Sequence, residues 1–424
     1  MAVAGVPIFG AIIDFTDGAT FITTAFTLDD PVLGKLDTAQ LAVASDRVDV
    51  SDRAISASIR RGRNRILDKF EAGTATLVLR DDNGDFNPAN PSSPYYGKLT
   101  PLRKIQIFAD YNGTRYPLFY GFITSYTTQF QVGVDAYAKV TLQCVDGFRL
   151  LNNVAFTSVP LAIAGETTGS RLGKLLNLAQ WPAAGRSLDT GDTLCQADPG
   201  TANRNMLDEI QLVGDKTEFG GIFCNNQGQV DFYSRTNLSN RAAQPTTVFA
   251  DDGSGIGYQG IELMHDDILV VNDVTVQRLG GTAQRVTDST SINTYFTHSG
   301  IRTGIYVQTD TEALNQALML LATRKDATLR ISSLGLNLFD PTSSATTRIQ
   351  AGLSLDIFST IQVKKNMPGS TSIIKTLFVQ GVQHDMTKRS FDTKLITAEP
   401  IIKAFILDDL QEGVLDSTAG LLSY

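Results

Sequence analysis

The chain has 424 residues and a formal net charge of −8, with 42% hydrophobic and 19% charged residues. This length exceeds what one hydrophobic core supports, so we expect about three domains. The 36 glycines favour β structure and turns. The acidic balance argues against a general nucleic-acid-binding surface, and we predict no specific nucleic-acid binding.

The cysteines and the N-terminus bear on the compartment. Cys144, Cys195 and Cys224 are odd in number and widely spaced, which argues against a disulfide framework or a zinc site. The N-terminal segment lacks the basic region of a signal peptide and is too short to span a bilayer. We therefore expect no membrane span, and a protein that is made in a cytoplasm and is kept there or packed into a particle assembled there.

Strand patterns dominate residues 46–150, which we predict to be a first β-barrel-like domain after an N-terminal arm, residues 1–45. Asx side chains and a glycine favour turns in the acidic stretch 81–85. The dipeptide Asn112-Gly113 is a hairpin signal between two apolar runs. The predicted strands are 74–80, 105–109, 118–123, 122–130 and 136–145.

Helical periods begin after the first domain, and we predict an α+β domain over residues 151–255. The dipeptide Trp181-Pro182 stops the first of these periods. The predicted elements are a helix from Ser170 to Ala179, a helix capped by Asn203 and ended by Gly214, and hairpin strands at 221–224 and 229–233 that bury Phe223 and Phe232.

We predict a second α+β domain over residues 256–327, a second β-barrel-like domain over residues 328–400, and a C-terminal docking tail, residues 401–424. Thr309 and Glu312 have the spacing of a capping box that opens a helix. The predicted buried face of this helix is Ala313, Leu314, Ala317, Leu318 and Leu321. The predicted strands are 268–278, 283–288, 329–338, 354–359, 373–384 and 394–397.

The two ends of the chain share a motif. The twelve residues 26–37 and the twelve residues 405–416 agree at seven positions, 379 residues apart. Apolar anchors, paired carboxylates and a turn glycine suit docking onto a partner, and they equally suit packing on the same chain. The candidate interface residues are Phe26, Leu28, Asp29, Asp30, Leu36, Asp37, Phe405, Leu407, Asp408, Asp409, Leu415 and Asp416.

The sharpest basic cluster consists of Arg60, Arg61, Arg63 and Arg65. Nucleic-acid binding would need aromatic residues among the arginines or a broader basic face. We predict instead that some of them form ion pairs with a neighbouring subunit, because a guanidinium pairs with a carboxylate through two hydrogen bonds. The Tyr95-Tyr96 pair on a Pro-rich loop either faces a partner or packs against its own domain.

No catalytic constellation is visible in the sequence, and we predict neither enzyme activity, nor a cofactor, nor a metal site. His265, His298 and His384 are the three histidines, and none has a second His or Cys at a metal-binding spacing. The stretch 81–85 does not match the EF-hand pattern, since its glycine stands at position four. Neither a nucleophile elbow nor a phosphate-binding loop is present.

Five short motifs occur in one order: RRGR at 60–63, LDKFEAGT at 67–74, DFNP at 85–88, SPYY at 93–96 and YPLFYG at 116–121. In these motifs the chain resembles the tail-tip hub proteins, often called minor tail proteins, of long-tailed bacteriophages of actinobacteria. The resemblance implies a β-rich α+β multidomain fold of the baseplate-hub type, with two β-barrel-like domains flanking α+β modules. It also implies a homotrimer, in which two related barrels per chain offer six pseudo-equivalent positions.

The same resemblance implies a structural role at the distal tail tip of a virion assembled in the bacterial host cytoplasm. Such a hub matches a six-fold tail tube or distal tail ring to three-fold tip fibres and lines the DNA exit channel. Its expected partners are further copies of itself, a distal tail or tail tube protein, the tape-measure protein, and tip fibre or other minor tail proteins. A receptor- or carbohydrate-binding tail protein is the alternative, and a wall hydrolase is a third hypothesis.

Overall fold

The computed structural model describes residues 5–16, 18–19, 46–65, 68–130, 138–200, 203–243, 245, 247–339, 345–369 and 371–400. Thirteen of the strands within these residues hydrogen bond into one sheet, and the remaining strands form four smaller sheets. This confirms the prediction of a β-rich α+β protein. No helix in the described part of the chain is long and apolar enough to cross a bilayer.

The elements follow the chain in three groups. The first group is β1 (Ile8–Asp14), β2 (Arg47–Asp49), β3 (Ala54–Gly62), β4 (Thr74–Arg80), β5 (Arg103–Tyr111), β6 (Thr114–Phe130) and β7 (Ala138–Val145). The second is α1 (Gly147–Leu151), β8 (Ala155–Phe156), β9 (Glu166–Thr167), α2 (Thr168–Leu178), β10 (Arg186–Leu188), β11 (Leu194–Cys195), β12 (Arg204–Asn205), α3 (Met206–Gln211), β13 (Gly221–Cys224), β14 (Val230–Tyr233) and α4 (Arg235–Ala242). The third is β15 (Thr247–Ala250), β16 (Gly260–Met264), β17 (Asp273–Arg278), β18 (Gln284–Thr287), α5 (Ser289–Tyr295), β19 (Ser299–Ile305), α6 (Asp310–Arg324), β20 (Arg330–Asn337), α7 (Ala345–Ser354), β21 (Thr360–Asn366), β22 (Ser372–Thr387) and β23 (Phe391–Ala398).

In the first half of the large sheet, buried and exposed residues alternate along the strands. In β4, which has the predicted bounds, Ala75, Leu77 and Leu79 are buried and alternate with polar or half-exposed residues. The dipeptide Asn112-Gly113 turns β5 into β6 with φ angles of 48° and 78°, as a tight hairpin requires. The runs predicted as two strands at 118–123 and 122–130 are one strand of 17 residues, β6.

The large sheet contains the same strand order twice. One set runs β3-β4-β7-β6-β5-β1, and the other runs β16-β20-β23-β22-β21-β15. Corresponding neighbours are antiparallel in both sets, except that β1 is antiparallel to β5 whereas β15 is parallel to β21. The long strand of each set, β6 or β22, carries one extra residue against its partner, Thr124 in one and Gln380 in the other. We call these sets the first and second repeat.

The two repeats form one continuous sheet, because β22 of the second repeat pairs with β3 of the first. Buried residues of both repeats also belong to one hydrophobic core, which contains Leu77 and Leu142 as well as Leu334 and Leu395. Within the described residues no strand pairing closes either repeat into a barrel. The expectation of two separate barrel-like domains is therefore not confirmed by the strand pairing.

The elements from α1 to α4, which we call the helix–hairpin region, follow the pattern of the sequence with two corrections. The cap of α3 is Asn205, not Asn203, because the Asn205 side chain accepts hydrogen bonds from the N–H groups of Leu207 and Asp208. The helix does not end at Gly214 but continues as a π-helix over Leu212–Thr217. Gly214 packs closely on Ile222, where a Cβ would lie 3.0 Å from the nearest side-chain carbon, so the glycine makes a tight contact and does not mark the helix end.

The hairpin β13–β14 forms as predicted. Phe223 and Phe232 are buried in a second hydrophobic core, which also contains Leu172 and Ile210. The helix α2 ends before Trp181-Pro182, which also agrees with its sequence pattern.

The predicted capping box at Thr309 and Glu312 is present at the start of α6. The buried face of α6 is shifted from the predicted one, since Leu318 is exposed and Gln316 lies inside. The strand predicted at 268–278 begins at Asp273, because a turn precedes it in which the Val270 N–H donates to the Asp267 carbonyl. The strand predicted at 354–359 is wrong: Ser354 ends α7, and the next five residues form a loop.

Candidate assembly surface

The arginine cluster lies on β3 and the residues after it, and its members face different ways. Arg61 is buried, with 2% of its side chain exposed, and its Nη2 lies 2.7 Å from Asp356 Oδ1 of the same chain. The ion pair of Arg61 thus lies within one chain, and its pairing with a neighbouring subunit stays a prediction. Arg60 points to the opposite face, is exposed and hydrogen bonds Asn64.

Arg63 is also committed to contacts within the chain. Its Nε donates to Gln380 Oε1 at 2.8 Å, and its guanidinium lies 4.4 Å from the centre of the Phe70 ring. Burial lowers the pKa of Arg63 to about 10. Arg65 is exposed beside a cleft of about 230 Å³ that Arg324 and further charged residues line. Ion pairing with a neighbour stays a prediction for the cluster, and Arg60 and Arg65 are its exposed members.

The two terminal motifs, residues 26–37 and 405–416, lie outside the described residues. The docking role predicted for them stays a prediction.

The junction between the repeats has a defined register. Along β22 and β3, Val382 lies opposite Arg61, Gln383 opposite Arg60 and Asp385 opposite Ser58. Only the second half of β22 is used, because its first half pairs with β21 along the same edge. A long strand of one repeat thus holds the first strand of the other repeat by main-chain hydrogen bonds.

The edges of β6 and β16 that correspond to this junction have no partner in the described residues. The strand β6 pairs with β5 through residues 114–123 and with β7 through residues 122–130, so one edge of residues 124–130 is open. The strand β16 pairs on one side, with β20. Phe130, at the end of β6, is 65% exposed. Open strand edges are sites where another chain can add to a sheet.

The face of the sheet that points away from the core is polar. Its side chains on the eight strands from β16 to β6 include five basic residues, Arg60, Arg80, Arg330, Lys139 and Lys394, and three acidic residues, Glu262, Asp385 and Asp392. Further polar positions on these strands include Ser56, Ser58, Thr74, Thr76, Ser125, Thr127, Gln129, Thr141, Gln143, Ser333, Asn337, Gln383 and Thr387. These charges nearly balance, with a small basic excess, although the whole chain is acidic.

One imidazole–hydroxyl pair has the composition of a nucleophile and its base. His384 Nδ1 lies 2.9 Å from Thr393 Oγ1, but both side chains are buried in the sheet. Burial lowers the pKa of His384 to about 3, far below the range that suits a general base at neutral pH. Among the described residues no three His, Cys, Asp or Glu side chains form a group that could hold a metal ion.

The Pro-rich loop exposes only one of its two tyrosine rings to solvent. Tyr95 stacks on Phe15, with ring centres 5.0 Å apart, and packs against Phe86 at 5.2 Å. Tyr96 is the exposed member of the pair. For Tyr95 the packing within its own chain is the correct alternative.

Several residues of the junction and its open equivalents were not singled out from the sequence. Asp356 and Gln380 lie about 300 residues from the arginines that they contact, and no local pattern connects them. The open edge of β6 carries an ordinary polar alternation, so Gln129 and Phe130 give no signal of an edge. Only the strand pairing of the folded chain identifies them.

Two solved structures share this fold. The tail protein from Neisseria meningitidis MC58 has a TM-score of 0.53 at 12% identity, and the match covers 93% of this chain and 96% of that protein. The 43 kDa tail protein of prophage MuSo2 from Shewanella oneidensis has a TM-score of 0.52 at 10% identity, with 84% and 94% covered. No family model and no curated protein matches the sequence. The chain therefore has the fold of phage-type tail proteins.

Proposed function

We propose that the protein is a structural subunit of a phage tail tip and works without catalysis, as a homotrimeric hub. The repeated strand order carries this proposal. Because two equivalent units lie side by side in one chain, three chains offer six equivalent units around a ring. Such a ring joins a six-fold tail tube or distal tail ring to three-fold tip fibres.

The junction between β22 and β3 supports ring formation. It joins one repeat to the other by strand pairing, and it leaves an edge of the same kind open on β6 and on β16. The nearly balanced, polar face of the sheet is suited to line the channel through which DNA leaves and in which the tape-measure protein lies. A strongly basic face would instead hold the DNA phosphates.

The fold likeness to two tail proteins supports a place in the virion, at the distal tail tip, with a distal tail or tail tube protein and tip fibre or other minor tail proteins as neighbours. The narrower resemblance to hubs of actinobacterial phages rests on the sequence motifs alone.

Sedimentation equilibrium and electron microscopy of the purified chain test the proposal. We expect the mass of three chains and a ring with six similar lobes. A monomer at micromolar concentration, or a ring without six-fold pseudosymmetry, would contradict it. Binding of the purified protein to host cells would favour the alternative, a receptor- or carbohydrate-binding tail protein, and clearing of cell-wall substrate in a gel would favour a hydrolase.

The terminal motifs are proposed to dock onto partner proteins or neighbouring subunits. Removal of residues 405–424 should leave a folded protein that no longer joins its partner in the tail. Normal assembly of the truncated chain would exclude this role for the C-terminal copy.

A further inference from the structure

The strand pairings of the two repeats correspond residue by residue. In the first repeat, Thr76 pairs with Gln143, which pairs with Ser125 just after the extra residue of β6. In the second repeat, Ser333 pairs with Ile396, which pairs with Gly381 just after the extra residue of β22. Ser125 therefore corresponds to Gly381, and four residues further along each strand Gln129 corresponds to Asp385.

The first strands of the repeats can be aligned in the same way. Ser58 on β3 lies opposite Thr76, and Glu262 on β16 lies opposite Ser333. Since Thr76 and Ser333 occupy equivalent positions, Ser58 corresponds to Glu262. Within the chain Asp385 lies opposite Ser58.

We propose that residues 124–130 of β6 pair with β16 of a second copy of this chain, in the antiparallel register that places Gln129 opposite Glu262. This inference rests on the proposed trimer and specifies how its subunits are joined. The same register places Phe130 opposite Ile261 of the second copy and Thr128 opposite Leu263. Each chain then uses the open edge of β6 on one side and that of β16 on the other, so the contact is heterologous, and it gives a ring when the rotation between subunits closes.

The side chains at these positions fit the proposed pairing. Gln129 and Glu262 lie on the polar face, where the amide of one can donate to the carboxylate of the other. Phe130 and Ile261 lie on the core face, and Ile261 is only partly buried against the core. The exposed ring of Phe130 would cover it, and an aromatic ring opposite a β-branched side chain stabilises a pair of strands.

Disulfide trapping tests the register directly. The double variant Gln129→Cys/Glu262→Cys should form covalent dimers and trimers under mild oxidation, visible on non-reducing gels. The equivalent pair within the chain, Asp385→Cys/Ser58→Cys, is the positive control, and it should lose its thiols without a change in mass. The native cysteines add little background, since all three are buried.

A second pair of variants keeps the inference testable if cysteines disturb the fold. Phe130→Asp places a charge on the proposed contact, and we expect it to prevent trimer formation while circular dichroism stays unchanged. Phe296→Asp is the matched control, because Phe296 is even more exposed but lies on neither open edge. This variant should sediment like the parent protein.

The outcomes separate this inference from the proposed function. Trimers that form no intermolecular cross-link at Gln129→Cys/Glu262→Cys, or that survive Phe130→Asp, overturn the strand pairing and leave the hub intact. Cross-linking in a shifted register, strongest for Thr127→Cys/Glu262→Cys, overturns the stated register. A parent protein that sediments as a monomer overturns both.

Discussion

Arg61 on β3 and Asp356 in the loop before β21 form an ion pair that joins the two repeats inside one chain, with 2.7 Å between Nη2 and Oδ1. The arginine is buried, and in the described structure its Nε and Nη1 have no hydrogen-bond partner. A buried charge of this kind stabilises the fold only while its counter-charge is in place.

Loss of the Asp356 carboxylate should therefore destabilise the protein strongly. We expect Asp356→Ala to lower the free energy of unfolding by about 3–5 kcal/mol, because it leaves the buried guanidinium uncompensated. Chemical denaturation followed by circular dichroism measures the change. The control is Asp82→Ala, which removes an exposed pair with Arg80 and should cost less than about 1 kcal/mol. Equal losses for the two variants would refute the argument.

His384 gives the stability a pH dependence. Its pKa is lowered to about 3, first by burial and then by Arg61, while Asp356 acts in the opposite direction. Because the folded state favours the neutral imidazole, the contribution of His384 is complete above its unfolded pKa of about 6.5 and is lost as the pH falls towards 3. Between these values the slope approaches about 1.4 kcal/mol per pH unit.

The variant His384→Gln keeps an amide that can contact Thr393 but does not titrate. Urea unfolding at pH 7 and pH 4.5 should show a smaller loss of stability for this variant than for the parent. His265→Gln, at an exposed site, should behave like the parent. An unchanged pH dependence in His384→Gln would show that other groups carry it.

Phe358 is the centre of an aromatic cluster between the helix–hairpin region and the second repeat. Its ring centre lies 5.6 Å from that of Phe70, 5.5 Å from that of Phe223 and 5.9 Å from that of Phe378. We expect Phe358→Ala to cost about 3–5 kcal/mol, because it removes a fully buried ring and leaves a cavity. Thermal unfolding measures this loss. Phe296→Ala is the exposed control, and a loss of similar size there would count against the cavity argument.

The capping box of α6 makes a local contribution. Glu312 donates its backbone N–H to Thr309 Oγ1 at 3.2 Å, and its carboxylate accepts the N–H of Thr309 at 3.1 Å. Thr309→Ala should cost about 1 kcal/mol of unfolding free energy, whereas Thr309→Ser should cost little. Chemical denaturation of both variants is the measurement. Identical stability of the two would indicate that the hydroxyl does not matter.

Local patterns were sufficient for many elements of this fold. Asn112-Gly113 and the Thr309 box specify their turn and helix start through their own side chains and backbone conformations, so neighbouring sequence determines them. Asn203 and Asn205 are equally good caps by type. Asn205 also donates its side-chain amide to the Asn152 carbonyl and lies opposite Ala155, and these tertiary contacts are not visible in the sequence. The loop at 355–359 has the apolar content of a strand, but it is irregular and buries Phe358 in the aromatic cluster.

The assembly surface was hardly accessible from the sequence. The arginine cluster is conspicuous in the sequence by its charge. Alternation along β3 nevertheless buries Arg61 and exposes Arg60, and the sequence does not show which face of the strand lies inside. The sequence does not reveal the repeat, because equivalent positions lie on the same face of the sheet but seldom carry the same residue type. Leu77 and Leu334 agree, whereas Lys139 and Asp392 have opposite charges. The register between strands, which defines the repeat, is a property of the fold.

The covalent link between the repeats has a consequence for how such a ring comes apart. The contact between β22 and β3 is intramolecular, so its effective concentration does not fall on dilution. A buried charge pair, Arg61 with Asp356, can therefore lie beside this contact, because the two repeats do not return to water when chains separate. The proposed contact between separate chains would instead open and close with both surfaces in water, where Gln129 and Glu262 would be hydrated. Dilution would therefore separate only the contacts between different chains, which alternate around the ring with the contacts inside each chain.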